Sequence, residues 1–275
     1  MADNFETLID CKDIDINQQV IFDCRSSLGD HDYGRMAYEK GHIPGAIFVD
    51  LETDLSGPIV PGKTSRHPLP DRQAFLHRAR EWGLTETAQV VVYDDNIGAF
   101  AARLWWMIRW LGHHRVAVLD GGYDAWLASG GSISVDAPSI EISDFQASEP
   151  LTRSVNASML PDDKISLLDA RESARFKGDA EPIDPVAGHI PGARCLPFAG
   201  NVTEGRFLSQ DLLRDRFSIE GITVDDDVIC YCGSGVTACH NILAFKHAGY
   251  PEPALYAGSW SEWITDPNRP IASGD

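Results

Sequence analysis

Residues 228–240 read Val-Ile-Cys-Tyr-Cys-Gly-Ser-Gly-Val-Thr-Ala-Cys-His. Residues 228–231 are apolar and β-prone, which predicts a buried strand. Gly233 and Gly235 then permit a tight turn through backbone angles closed to other residues. Over residues 237–249, Ala238, Ile242, Leu243, Phe245 and Ala248 recur at helical spacing, so a helix follows. The unit is strand, loop, helix, and Cys232 stands at its mouth. The backbone N–H groups of residues 233–237 and the positive end of the helix are expected to converge on its sulfur. Such surroundings favour the thiolate, which is the nucleophile, and cradle an anion formed on it. Cys230 and Cys239 read as packing, one alternating into the core and the other falling within the helix.

The same unit is written twice. Residues 90–94 (Val-Val-Val-Tyr-Asp) match residues 228–232 at a shift of 138. Asp-Cys-Arg at 23–25 recurs as Asp-Ala-Arg at 169–171, a shift of 146. Gly-His-Ile-Pro-Gly-Ala at 41–46 recurs letter for letter at 188–193, a shift of 147. Gly-Gly-Tyr-Asp-Ala-Trp at 121–126 matches Gly-Ser-Trp-Ser-Glu-Trp at 258–263, a shift of 137. Four motifs in one order at nearly constant offset mean a tandem duplication, and copies this long are domains. The expected division is a first domain over 1–137, a linker over 138–152 and a second domain over 153–275. The linker carries Pro138, Pro150, serines and acids with little periodicity.

In the first copy, strands near 20–23, 46–49, 90–93 and 116–119 alternate with helices near 71–82, 98–112 and 121–129. In the second, strands near 166–169, 193–196, 227–231 and 253–256 alternate with helices near 209–218, 237–248 and 258–264. This predicts an α/β fold, each copy a mostly parallel sheet with helices on both faces. Reactive groups in such sheets sit beyond the carboxyl ends of the strands, where Cys232 falls. The first copy has Asp94 in that place, followed by Asp95, Asn96, Ile97 and Gly98. A carboxylate repels an anion and cannot carry sulfur, so chemistry is expected in the second copy only. His42 and His189 occur in both copies, which points to structure, and Trp105, Trp106, Trp110, Trp126, Trp260 and Trp263 read as packing.

The chain has 275 residues, 43% hydrophobic and 23% charged, the composition of a globular protein with room for two cores. Its net charge of −18 argues against nucleic acid or an anionic membrane surface as partner. It also obliges any anion site to build its own positive field. No run of 18 apolar residues appears, and the opening residues lack the pattern of a signal peptide. Six cysteines at 11, 24, 195, 230, 232 and 239 form neither a disulfide framework nor a C-x-x-C pair, which suits free thiols in a cytoplasmic protein. No Cys/His set has zinc-finger spacing, so no metal is expected.

Taken together, the Asp-x-Arg strand ends, the paired Gly-His-Ile-Pro-Gly-Ala motifs, the Cys-Gly-Ser-Gly-Val-Thr loop and the Gly-Ser-Trp-x-Glu-Trp ending resemble the tandem-domain rhodanese family of sulfurtransferases over nearly the whole chain. The resemblance implies an inactive first domain, a catalytic second domain, a persulfide on Cys232, and no metal or organic cofactor. The neutral loop wording is similar to the 3-mercaptopyruvate sulfurtransferase subtype, whereas thiosulfate-using members place basic residues just after the cysteine. Thiosulfate is a compact dianion and gains from cations at the loop. Mercaptopyruvate has one carboxylate and a carbonyl, better met by a hydroxyl, backbone donors and an arginine fork.

The family comparison implies a substrate loop of Gly233, Gly235, Val236 and Thr237, and a donor carboxylate held by Arg175, with Lys177 adding positive field. A second arginine is expected near 181–185, where the sequence has Asp184. Ser234 is expected to hydrogen-bond the sulfur or the donor carbonyl, or to serve the turn. His67 matches a histidine near the active loop that relays a proton or steadies the substrate, and Glu52 lies near the family's acidic partner of that histidine. The acceptor is left open among a thiol, cyanide and a thioredoxin-like protein. Two further readings stand beside this one: thiosulfate as donor, and a persulfide-relay module serving a protein partner. Phosphatase or arsenate-reductase chemistry is disfavoured, because the residue six on from Cys232 is Ala238 rather than arginine.

Overall fold

The computed structural model describes residues 4–95, 97–160 and 165–274; Asn96 lies outside them. The chain forms two compact units. One comprises the chain up to Gly57 with Leu69–Thr152, and the other comprises Pro58–Pro68 with the chain from Arg153 onward.

The first unit has strands β1 (Leu8–Ile9), β2 (Gln19–Asp23), β3 (Ile47–Phe48), β4 (Gln89–Tyr93) and β5 (Val116–Leu119). They form one sheet in the order β1-β5-β4-β2-β3, and every pairing is parallel. Helices α1 (Tyr33–Lys40), α2 (Arg72–Glu81), α3 (Ala101–Trp110) and α4 (Gly122–Ala128) make the crossovers. Val90, Val91, Val92 and Tyr93 are all fully buried, so both faces of β4 are covered. Helix α2 starts where the Asp71 carboxylate accepts the N–H groups of Gln73 and Ala74. Residues 138–152 run along this unit, with Ser143 N–H on the Arg80 carbonyl and Ser148 N–H on the Leu111 carbonyl.

The second unit repeats the plan. Strands β6 (Ser154–Val155), β7 (Ile165–Asp169) and β8 (Arg194–Cys195) come first, then a small antiparallel hairpin of β9 (Val202–Thr203) and β10 (Arg206–Phe207). Strands β11 (Asp227–Tyr231) and β12 (Ala254–Tyr256) complete a parallel sheet of order β6-β12-β11-β7-β8. Its helices are α5 (Ser173–Lys177), α6 (Gln210–Ile219), α7 (Ala238–His247) and α8 (Ser259–Trp263). Matched strand for strand, the two sheets have the same order. Strands β7 and β11 are neighbours whose onward connections run to opposite sides, so their carboxyl ends border a switch point.

The repeated letters brace the strand ends. The Arg25 guanidinium donates to both Asp23 oxygens, and its Nη2 also donates to the Gly41 carbonyl at 2.7 Å. Arg171 does the same with Asp169 and the Gly188 carbonyl, also at 2.7 Å. His42 stacks on Tyr38 with ring centroids 3.8 Å apart, and His189 stacks on Phe176 at 3.7 Å. Their Nδ1 atoms meet the Tyr38 and Phe176 carbonyls. Both histidines therefore fix the turn that delivers the motif. No helix among the described residues is long and apolar enough to cross a membrane.

Candidate active site

Cys232 follows β11 and precedes α7, and it is buried. Gly235 donates its N–H to Cys232 Sγ at 3.1 Å. Of the five N–H groups expected to converge on the sulfur, this is the one that reaches it among the described residues. Gly235 has φ of +83°, and a Cβ there would meet the Ala257 carbonyl oxygen at 2.5 Å, so the turn requires glycine. Val236 is buried, and Thr237 is the residue from which α7 begins.

The start of α8 holds the loop from the other side. The N–H groups of Trp260 and Ser261 donate to the carbonyls of Cys232 and Gly233, each at 2.9 Å. Ser259 Oγ accepts the Cys232 N–H at 3.1 Å, donates to the Tyr256 carbonyl at 3.0 Å and lies 4.0 Å from the sulfur. Ser259 is fully buried and has φ of 55°, in the left-handed region. Its counterpart in the first copy is Gly122, with φ of +59°. The second copy thus keeps a serine where the backbone favours glycine, and strain of this kind persists where the surroundings over-determine it.

Ser234 Oγ lies 2.7 Å from His67 Nδ1, and both side chains are buried. His67 arrives on the 58–68 segment, which packs with the second unit. Glu52 belongs to the first unit, where its carboxylate lies 3.6 Å from His31 Nδ1.

Arg175 lies on α5, where its Nε and Nη2 donate to Glu181 and its Nη2 also reaches Asp184 at 3.0 Å. A Cβ built on Gly233 would lie 3.5 Å from both Arg175 Nη1 and Nη2, so the guanidinium borders the loop. The same Cβ would lie 2.9 Å from Arg66 Nη2. Arg66 is a guanidinium that the sequence reading did not place. It is anchored by its N–H on Ser261 Oγ and by its Nη1 on Asp184. The neutral letters of the loop do not make a neutral site: two cations stand beside Gly233. Burial pushes the Glu181 carboxyl up, but the hydrogen bonds from Arg175 and from the backbone of Asp184 and Ile183 bring it below its ordinary value. For Asp184, burial outweighs Arg66 and Arg175, and its carboxyl is raised.

Other thiols of this unit are buried or half-buried. Burial pushes the Cys230 thiol far up, with Cys239 and Cys232 adding to the shift. Cys239 is buried and its thiol points to the Gly235 carbonyl at 3.5 Å. The half-buried Cys195 thiol is pushed up to about 11, by burial first and then by Asp169. Among the described residues, no group of three or more His, Cys, Asp or Glu side chains could hold a metal ion.

In the first copy the equivalent loop is filled by its own anion. The buried Asp94 carboxylate accepts the N–H groups of Gly98, Phe100 and Ala101 at 2.8, 2.8 and 2.9 Å. The N–H donors that could cradle a ligand there are spent on a side chain at the head of α3.

The family model of the rhodanese-like domain matches residues 1–129 and 152–266. A probable 3-mercaptopyruvate sulfurtransferase of Pseudomonas aeruginosa is 50% identical over 264 residues, covering 93% of each chain. A putative thiosulfate sulfurtransferase of Mycobacterium tuberculosis is 41% identical, covering 92% of this chain and 90% of its own. Among solved structures, the 3-mercaptopyruvate sulfurtransferase from Leishmania major superposes with a TM-score of 0.80 at 32% identity, over 94% of this chain and 74% of that one.

Proposed function

The chain belongs to the rhodanese family, as two tandem rhodanese-like domains, and from that premise we propose that it moves a sulfane sulfur from 3-mercaptopyruvate through a persulfide on Cys232. The observation that carries the reading is the cradle itself: a buried cysteine sulfur at the head of α7, held by the Gly235 N–H, with two guanidiniums beside the next residue, Gly233.

The step follows from the atoms present. The Cys232 thiolate attacks the donor sulfur and forms the S–S bond, while the donor C–S bond breaks. The electron pair of that bond stays with carbon as an enolate of pyruvate, and the thiol proton of the donor ends on that carbon. Arg175, joined by Arg66, holds the donor carboxylate, because a guanidinium matches a carboxylate with two parallel hydrogen bonds. Ser234 faces the developing enolate oxygen, and His67 behind it orients the hydroxyl and passes the proton. Gly233, Gly235, Val236 and Thr237 shape the walls. The N–H donors of the loop then hold the persulfide anion. A second thiolate, cyanide or a thioredoxin-like protein takes the outer sulfur and returns the Cys232 thiolate. In this reading residues 1–137 form the catalytically silent domain, residues 153–275 the catalytic one, and the protein works in the cytoplasm, where reducing conditions keep the Cys232 thiol available.

A specific observation favours a second donor. Two guanidiniums at Gly233 suit a compact dianion, and the relative from Mycobacterium tuberculosis is named a putative thiosulfate sulfurtransferase. Side-by-side kcat/KM for the two donors, with cyanide as acceptor, decides between them. Mercaptopyruvate is expected to be the better donor; higher kcat/KM for thiosulfate hands the assignment to the second reading.

A further inference from the structure

Asp184 lies between the two guanidiniums, and the reaction just described gives it no part. It is buried, with 7% of its surface exposed. Its Oδ1 accepts from Arg66 Nη1, and its Oδ2 accepts from Arg175 Nη2 at 3.0 Å. Other nitrogens of the same two groups face the loop: Arg66 Nη2 and Arg175 Nη1 come within 2.9 and 3.5 Å of where a Gly233 Cβ would stand. One carboxylate therefore ties two arginines from distant parts of the sequence side by side, with donors left over toward the space above Gly233. Glu181 makes a different set of bonds. It takes Arg175 Nε and Nη2, Arg171 Nη1, and the N–H groups of Ile183 and Asp184. Without Asp184, Arg175 stays anchored and Arg66 loses its side-chain anchor.

We propose that Asp184 is a specificity-determining positioning residue that tunes the site to a donor with one carboxylate and against a compact dianion. The inference rests on the sulfurtransferase reading. The ion-paired cluster beside Gly233 consists of the guanidiniums of Arg66 and Arg175 and the carboxylates of Glu181 and Asp184; Arg171, which also reaches Glu181, is matched by Asp169. With Asp184 ionised these four groups sum to zero. The carboxylate of mercaptopyruvate is then held by fork geometry, and a second negative charge gains nothing from the field. Without the Asp184 charge the site carries a net positive charge, from which a dianion gains about twice as much as a monoanion.

The test is steady-state kinetics of the full chain and its Asp184→Asn and Asp184→Glu variants with mercaptopyruvate and with thiosulfate. Asp184→Asn should raise the ratio of kcat/KM for thiosulfate to that for mercaptopyruvate by about tenfold, mainly through KM. Asp184→Glu, which keeps the charge, should hold the ratio within about threefold of wild type. A merely structural role lowers both donors by one factor and leaves the ratio unmoved, and that result overturns the proposal. Should Asp184→Asn not fold, Arg66→Gln gives the converse measurement: the ratio must fall, and a rise or no change refutes the role. Wild type inactive with both donors removes the sulfurtransferase reading itself, whereas an active wild type with an unmoved ratio removes only the role of Asp184.

Discussion

Ser259 shows how much one residue can accept in strain for one hydrogen bond. It sits at φ of 55°, and its hydroxyl accepts the buried N–H of the reactive cysteine. Ser259→Ala keeps the strained backbone and leaves that N–H unpaired, at a cost of about 1–3 kcal/mol. Ser259→Gly loses the same bond but regains about 1–2 kcal/mol of left-handed strain. Glycine should therefore be the more stable of the two by urea unfolding, and both should lose activity because the loop is less firmly held. An alanine variant more stable than the glycine variant contradicts this account. Arg175 gives the residue-scale test of donor binding. Hydrogen bonds to charged groups contribute about 1.5–3 kcal/mol, so Arg175→Leu should lower kcat/KM for mercaptopyruvate by about ten- to a hundredfold. Equal kcat/KM in variant and wild type would remove Arg175 from the site. Cys232 and Ser234 were legible in the sequence because one short loop carries them. Arg66 and Ser259 were not, because they reach the loop from 58–68 and from the start of α8, and only the fold brings those segments together.

The strand-loop-helix element appears in both copies with opposite contents. In β11–α7 the loop N–H of Gly235 faces a sulfur, while in β4–α3 three N–H groups face the Asp94 carboxylate. The same turn is a ligand cradle in one copy and an internal cap in the other, with different N–H groups turned inward. Asp94→Ala should therefore destabilise the protein by about 2–4 kcal/mol, since several buried donors lose a charged acceptor. It should leave kcat/KM of the folded enzyme within about twofold of wild type. A large loss of kcat/KM without loss of stability would place Asp94 in the chemistry instead. The long elements of both sheets were readable from period and β-branched runs. Strands β1 and β6 were not, because two residues cannot show an alternation and, unlike β3 and β8, neither follows a repeated motif. Helices α1 and α5 were missed for a related reason: each buries a single residue, Gly34 or Phe176, so neither shows an apolar stripe.

At the scale of the whole molecule, a chain of net charge −18 must receive an anionic donor. The guanidiniums act at contact distance, while the overall charge acts through solvent. The screening length shortens from about 30 Å at 0.01 M salt to about 8 Å at 0.15 M, so salt weakens the distant repulsion before the local attraction. Raising salt across that range with a non-competing anion should raise kcat/KM for mercaptopyruvate by about two- to fivefold. A steady fall with salt would mean that the local field dominates at long range. The duplication itself was fully legible from four motifs at nearly constant offset, and it carries the central claim that sulfur passes through one cysteine of one copy. That claim is tested most directly by mass spectrometry of the full chain after treatment with mercaptopyruvate in the absence of acceptor. The account predicts one added sulfur, mapped to the peptide holding Cys232, lost on addition of cyanide and never formed in Cys232→Ser. An added sulfur on Cys195, Cys230 or Cys239, on Cys11 or Cys24 of the first copy, or on the Cys232→Ser protein contradicts it.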